Sequence, residues 1–195
     1  MRIQIGMLQN LTVVRTVEFG VYLAPEGAGE EKVLLPAKQV PEGIGLGDRL
    51  EVFVYRDSKD RLICTTSTPA LCLGEVAVLK VAQIGKVGAF LDWGLEKDLF
   101  LPFREQTRQV REGESFPVAL YVDKSGRLCA TMKLYHYLRT DSPYQKDDRV
   151  GGYVYEISRQ FGAFVAVDNR YSALIPSREL FGEWKVGDRV EGRVS

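Results

Sequence analysis

The sequence has little that would support a membrane anchor or a disulfide framework. Its 195 residues include only three cysteines, Cys64, Cys72 and Cys129, and no two of them have the CxxC spacing. No apolar run approaches the roughly 20 residues that a membrane-spanning helix needs, and the first ten residues lack an apolar core followed by a cleavage site. We therefore expect a cytoplasmic protein whose cysteines are reduced.

Groups that could carry out catalysis are equally scarce. The single histidine, His136, lies in a connecting segment, and paired carboxylates do not recur near a nucleophile. The glycines of EGIGLGD (Glu42–Asp48) precede a strand pattern rather than a helix, so they do not form a phosphate-binding loop. We expect a protein that is not an enzyme and that uses no cofactor and no metal.

The chain also lacks net charge. It has 26 basic and 26 acidic side chains, and the net charge is −1 for residues 1–68, +2 for residues 69–140 and −1 for residues 141–195. A neutral chain has no general attraction to polyanions. Any affinity for nucleic acid must therefore come from individually placed cations and from aromatic stacking.

What the sequence does contain is one unit repeated three times. The segments FGVYL, VGAFL and FGAFV are each followed by a short apolar segment that ends in a proline, at Pro36, Pro102 and Pro176. The repeated glycine (Gly20, Gly88, Gly162) precedes that proline by 16, 14 and 14 residues, and another glycine follows it by 11 residues in every copy. Spacing this regular predicts the same local fold three times.

The first two copies continue into a predicted hairpin. Asp57 and Asp123 each open a polar turn with an arginine four residues on, between segments of alternating polarity. The third copy ends at EGRVS without a counterpart of this hairpin. A unit of about five short antiparallel strands hides its edges by closing on itself, as in an OB-type barrel.

We therefore predict an all-β fold of three tandem five-stranded OB-type barrels, the third incomplete at its C-terminal end. The predicted bounds are 1–68, 69–132 and 145–195, with a linker over residues 133–144. Cys64 and Cys129 fall one alignment position apart in the last strands of the first two copies. Alternation then predicts that they lie on opposite faces and that at most one is deeply buried.

These motifs resemble the S1 RNA-binding domain, an OB-fold module. Three tandem copies with Leu-Pro or Ile-Pro in the third strand are similar to the bacterial conserved virulence factor B family, whose members carry a winged helix after the barrels. The resemblance implies single-stranded RNA binding in post-transcriptional gene regulation. No winged helix follows here, so we expect a fragment of a longer protein. The chain departs from the S1 pattern at the three prolines, where a histidine is usual, and at Val87, where the other copies have phenylalanine.

The resemblance assigns base stacking to the aromatic residues beside the repeated glycine. The candidates are Phe19, Tyr22, Phe90, Phe161 and Phe164. We expect a β-bulge at the glycine to let residues on either side of it share one face. The alternative is that one ring of each pair belongs to the core; we favour exposure for Tyr22, Phe90 and Phe164 and leave Phe19 and Phe161 open.

The repeat alignment adds candidate phosphate contacts. A long cation stands two residues after each proline, at Lys38, Arg104 and Arg178, although each could instead be a solvated loop charge. Lys86, Arg159, Arg170 and Tyr171 flank the same strands and complete the candidate set. Because the third copy has phenylalanine on both sides of its glycine, we expect it to bind RNA most tightly.

Two functions remain open from the sequence. The first is single-stranded RNA binding, with no membrane and no small-molecule cofactor involved. The second is a protein-interaction scaffold whose barrels dock onto a partner through the same aromatic faces, which the missing histidine and the zero net charge favour. Salt dependence of oligonucleotide binding separates the two, because phosphate contacts release counterions.

Overall fold

The first repeat forms a closed five-stranded barrel. In this computed structural model, which describes residues 2–27 and 29–195, its strands are β1 (Leu8–Val17), β2 (Gly20–Ala24), β3 (Val33–Pro36), β4 (Arg49–Arg56) and β5 (Leu62–Thr65). They pair in the order β1-β2-β3-β5-β4, and β4 also pairs with β1. All pairings are antiparallel except that of β3 with β5. Because the sheet closes, its strands leave no open edge for another chain.

The second repeat has the same topology. Its strands are β6 (Val76–Ile84), β7 (Gly88–Asp92), β8 (Leu99–Pro102), β9 (Ser115–Val122) and β10 (Leu128–Thr131), and they close in the order β10-β8-β7-β6-β9. The turns predicted at Asp57 and Asp123 join β4 to β5 and β9 to β10. Alternate strand residues, such as Val52 and Val54, fill the first barrel, as the alternation in the sequence predicts, whereas Phe116–Leu120 of β9 are all buried.

The third repeat forms an open sheet of four strands. These are β11 (Arg149–Ser158), β12 (Gly162–Val167), β13 (Tyr171–Pro176) and β14 (Arg189–Arg193), paired in the order β13-β12-β11-β14. The described residues provide no fifth strand, so β13 and β14 are both edges. The predicted all-β fold, with two closed OB-type barrels and an incomplete third, is therefore confirmed, while the predicted domain bounds stay predictions.

The described chain divides into two compact units. The first comprises Met1–Leu73 with two short segments, Gly94–Lys97 and Val122–Leu128, and the second contains the rest of the chain. The residues between β10 and β11 include one 3-10 turn, Tyr135–Tyr137. No helix of the described residues is long and apolar enough to cross a membrane, and no cluster of His, Cys, Asp or Glu among them could hold a metal ion.

The repeated glycine and proline are cross-strand partners. Gly20 pairs with Pro36, Gly88 with Pro102 and Gly162 with Pro176, so the nearly constant spacing in the sequence is the register of one hairpin. The strands approach closely at this point. A Cβ atom on Gly20 would lie 2.1 Å from the carbonyl oxygen of Leu35, and Gly20 has a φ of +152°. Glycine is required here because any side chain would collide with the neighbouring backbone.

The predicted β-bulge at the glycine is wrong. The register shifts instead in the first strand of each repeat, between Val13 and Arg15, between Val81 and Gln83, and between Val154 and Glu156. Phe19 and Phe161 precede the strands β2 and β12 and lie in tight turns. Strand alternation does not constrain a turn residue, so its ring can reach the ring three residues later without a bulge between them.

The prediction that at most one of Cys64 and Cys129 is buried is also wrong. Phe100 and Leu34 are equivalent positions, two residues before their prolines, and they pair with Cys129 and Ile63 respectively. Cys129 therefore corresponds to Ile63 and not to Cys64, so the predicted offset of one position is correct. Both cysteines are nevertheless buried, at 0% and 2% exposure. In β10 the residues on both faces are covered, since Ala130 and Thr131 are buried as well. Alternation assigns a face to each residue, but it does not show that a face is open to solvent.

Candidate nucleic-acid interface

Most candidate residues of a repeat lie at one end of its second and third strands. We call this surface the glycine end: the turn before the repeated glycine, the first residues of the second strand, and the 3-10 turn after the proline. In the first repeat the backbone N–H of Ala37 donates to the carbonyl of Phe19 at 2.9 Å, and in the third that of Ser177 donates to Phe161 at 3.1 Å. These bonds hold the 3-10 turn, and with it Lys38 or Arg178, next to the turn that carries the phenylalanine.

Two of the glycine ends carry a pair of touching rings. The centroids of Phe19 and Tyr22 are 6.4 Å apart with an interplanar angle of 86°, and those of Phe161 and Phe164 are 6.5 Å apart at 66°. The exposed member of each pair is the turn residue: Phe19 is 58% and Phe161 is 53% exposed. Tyr22 and Phe164, which the sequence favoured as the exposed rings, are half-buried.

The glycine end of the second repeat is built differently. Val87, where the other copies have phenylalanine, is exposed, and Phe90 is half-buried against Phe100, its cross-strand partner, with centroids 5.6 Å apart. Phe103, next to Arg104 in the 3-10 turn, is 51% exposed. The sequence reasoning missed Phe100 and Phe103. Phe100 stands where the other copies have Leu34 and Leu174, and Phe103 stands where they have Ala37 and Ser177. Aligning the repeats position by position could therefore have found both aromatic residues.

The cations that follow the prolines are exposed, and each has an acidic or phenolic neighbour. Lys38 Nζ donates to both carboxylate oxygens of Glu96, at 2.5 and 2.7 Å. Arg178 Nε lies 3.9 Å from Glu179, and Arg104 lies near Tyr121. Exposed ion pairs contribute about 0–1 kcal/mol, so they exchange readily for a phosphate.

The phenol of Tyr121 is in a dry environment. Burial raises the pKa of Tyr121 to about 12; Cys129 and Glu105 add to the shift, while Arg104 opposes it.

Two further candidate cations also lie at glycine ends. Lys86 and Arg159 are exposed in the turns that precede Gly88 and Gly162.

Arg170 and Tyr171 are not at the glycine end of the third repeat. Gly162 pairs with Pro176 at one end of the β12–β13 hairpin, whereas Val167 pairs with Tyr171 at the other. Five residues of strand separate the two ends, a distance of roughly 17 Å. Tyr171 packs against the core of its sheet and contacts Tyr144, with ring centroids 6.0 Å apart.

Phe164 contributes to a buried cluster. Tyr155, the extra residue at the register shift of β11, is 1% exposed, and its ring centroid lies 6.1 Å from that of Phe164. Leu134 and Leu138 of the connecting segment and Ala119 of β9 belong to the same cluster. The outer face of the third sheet is therefore partly covered by its neighbours at this ring.

The comparisons with known proteins agree with this architecture. The S1 domain family matches residues 5–67 and 73–133. The chain is 28% identical over 200 residues to the uncharacterized protein YitL of Bacillus subtilis, and 24% identical over 202 residues to Conserved virulence factor B of Staphylococcus epidermidis. Both matches cover 97% of this chain, which spans 65% and 66% of the lengths of these relatives.

A solved structure shows the same fold. It is described as a multidomain protein with nucleic acid binding domains from Streptococcus pneumoniae, and it superposes with a TM-score of 0.62 at 18% identity over 97% of this chain and 68% of that chain. The two segments that match the S1 domain contain all the strands of the two closed barrels. The chain belongs to the S1 domain family.

Proposed function

We propose that this chain binds single-stranded RNA at the glycine ends of its barrels, in bacterial post-transcriptional gene regulation. The observation that carries the proposal is the exposed ring of Phe19 beside the turn that bears Lys38, an arrangement that recurs at Phe161 and Arg178. A stacked base contributes about 1–3 kcal/mol and requires no particular sequence, while a nearby cation meets the phosphate.

The relatives support this proposal. Membership of the S1 domain family places the chain among OB-type barrels, which bind oligonucleotides on an outer face. The solved structure with the same fold is described as having nucleic acid binding domains, and Conserved virulence factor B of Staphylococcus epidermidis is among the relatives. The proposal assigns no reaction, cofactor or metal to the chain.

A salt titration tests the proposal. A labelled single-stranded RNA oligonucleotide is titrated with the protein at several salt concentrations, with the duplex of the same sequence as competitor. We expect binding that weakens with salt, with a log–log slope of about −0.7 for each phosphate contact. Binding that does not depend on salt, or none at all, would contradict RNA binding.

A pair of matched variants tests the stacking. Phe19→Ala removes an exposed ring of the first glycine end and should weaken RNA binding by about 5- to 100-fold. Tyr135→Ala is the control, because Tyr135 is similarly exposed, at 54%, but lies in the connecting segment. It should leave the affinity unchanged. Equal affinities for Phe19→Ala and the wild type would contradict the assigned surface.

One observation favours the second candidate function, a protein-interaction scaffold. The third repeat exposes apolar side chains outside the ring pairs, including Phe181 at 81% and Leu174 at 43%. Apolar surface of this kind is common where proteins dock. The scaffold would be favoured if the chain showed no salt-dependent RNA binding and instead bound a protein partner, with an affinity that does not depend on salt and that Phe181→Ala abolishes.

A further inference from the structure

The second ring of each repeat has different neighbours, although the backbone around it is the same. The three rings are Tyr22, Phe90 and Phe164. Their partners in the first strand are Arg15, Gln83 and Glu156. The residues four positions before the prolines are Lys32 and Asp98, which directly precede the third strand, and Ser172, which lies within it. The equivalent positions thus carry two cations in the first repeat, one acid in the second and one acid in the third.

In the first repeat both cations flank the ring of Tyr22. Lys32 Nζ lies 4.9 Å from the ring centroid, within the range of a cation–π contact. Arg15 is the direct cross-strand partner of Tyr22 and is exposed; such partners share a face, with Cβ atoms roughly 5 Å apart. Together with Phe19, these residues form a ring pair with positive charge on both sides.

In the second repeat the charge beside the ring is negative. Asp98 stands where the first repeat has Lys32, and burial followed by the charge of Asp92 raises the pKa of Asp98. The charge of Asp92 thus adds to the negative charge of Asp98 in this repeat. Lys80 pairs with Asp92 across the strands, which offsets part of this negative charge. A phosphate gains nothing from this side of the ring.

In the third repeat the ring is both covered and beside an acid. Glu156 is the cross-strand partner of Phe164. Ser172 is already engaged, because its hydroxyl lies 2.7 Å from that of Tyr155 in a hydrogen bond. Phe164 itself packs against the buried cluster that contains Leu134 and Leu138, and its ring contacts that of Tyr155.

We infer that the first barrel holds the primary RNA-binding site, and that Arg15 and Lys32 contact the phosphates next to a base stacked on Phe19 and Tyr22. This inference rests on the proposed function and specifies where on the chain it is carried out. It replaces the sequence-based expectation that the third repeat binds most tightly. That expectation was based on the number of aromatic rings beside the glycine, because the cross-strand partners of those rings are known only from the structure.

The test is a double variant that borrows residues from the other repeats. Arg15→Gln gives the residue that the second repeat has at this position, and Lys32→Ser gives that of the third, so both suit the strand geometry. We expect the affinity for a labelled single-stranded RNA to fall at least about tenfold at low salt, and the log–log salt slope to become shallower by about 1.4 for two lost phosphate contacts.

The matched control is the double variant Arg111→Gln with Lys185→Gln. It also removes two exposed positive charges, but from positions outside the first barrel. Its affinity should stay within about twofold of the wild type, because distant surface charges are screened. Circular dichroism of each variant checks the fold.

The outcomes separate this inference from the proposed function. If the wild type shows no salt-dependent RNA binding, the proposed function fails. If the wild type binds and the two double variants lose affinity equally, the charge acts only in bulk and the inference is overturned. If the wild type binds and Phe90→Ala or Phe161→Ala weakens binding more than Phe19→Ala, the primary site lies on another repeat.

Discussion

At the scale of single residues, the repeated glycines act through the backbone. A Cβ atom on Gly162 would lie 2.0 Å from the carbonyl oxygen of Ile175, and one on Gly88 would lie 2.5 Å from that of Leu101. The glycine allows the third strand to approach the second. The position of the adjacent rings follows from that approach. The glycine is therefore required by the barrel backbone, and it affects the candidate interface only indirectly.

Cys64 gives a prediction at the same scale. It is 0% exposed, and burial raises the pKa of its thiol from 9.0 to about 12. The folded state therefore keeps the proton that the unfolded state loses. The stability linked to this group is fully present below about pH 9 and is lost as the pH rises toward 12, by an amount on the order of 1 kcal/mol at pH 10.

The variant Cys64→Ala should lose less stability between about pH 8 and pH 10 than the wild type. Alanine suits this site, because the second barrel has Ala130 at the equivalent position and buries it fully. Urea unfolding followed by circular dichroism at both pH values measures the difference. Parallel losses in the two proteins would show that the thiol does not titrate on unfolding in this range.

At the scale of elements, the first strand of each repeat sets how its outer face is used. The extra residue at the register shift is Val14 in β1, Ala82 in β6 and Tyr155 in β11. Val14 and Ala82 are exposed, whereas Tyr155 is buried against Phe164. The same irregularity thus leaves the outer face open in two repeats and anchors neighbouring segments in the third.

The two phenylalanines of the third repeat should therefore respond differently to truncation. Phe164→Ala removes a half-buried ring from the cluster around Tyr155 and should lower the free energy of unfolding by about 2–3 kcal/mol. Phe161→Ala, which removes a ring that is 53% exposed, should cost less than about 1 kcal/mol. Thermal unfolding by circular dichroism compares them, and equal losses would contradict the assigned packing.

At the scale of the whole molecule, the net charge of a segment does not show where the cations next to the aromatic rings lie. Residues 69–140 form the one segment with a positive net charge, +2, yet the cations that flank a ring pair are in the first repeat. One of the cations of that repeat, Lys38, is held by Glu96, which belongs to the same compact unit. Glu96 therefore competes with phosphate for Lys38.

Glu96→Gln should accordingly strengthen RNA binding. We expect an affinity gain of about two- to threefold and a salt slope steeper by at most about 0.7, because one more cation becomes available. Glu26→Gln is the matched control, since Glu26 also forms an exposed ion pair, with Arg49 at 3.4 Å. If both variants gain equally, the effect comes from net charge alone and Lys38 has no special role.

The sequence by itself determined the repeat and its register. Alternating apolar residues, turn residues and a nearly constant glycine-to-proline spacing are local signals, and they predicted two complete five-stranded units and a third without its last hairpin. These features follow from residues that are neighbours along the chain or in a short hairpin.

Only the tertiary structure decided which rings are exposed and what surrounds them. Arg15 is the cross-strand partner of Tyr22, Lys32 lies over the ring of Tyr22, and Phe164 packs against a buried cluster that includes Leu134 and Leu138, from the segment before β11. Alternation fixes the face of a strand residue but neither the residue opposite it nor what covers that face. Those depend on the position of the first-strand bulge and on contacts between segments far apart in sequence.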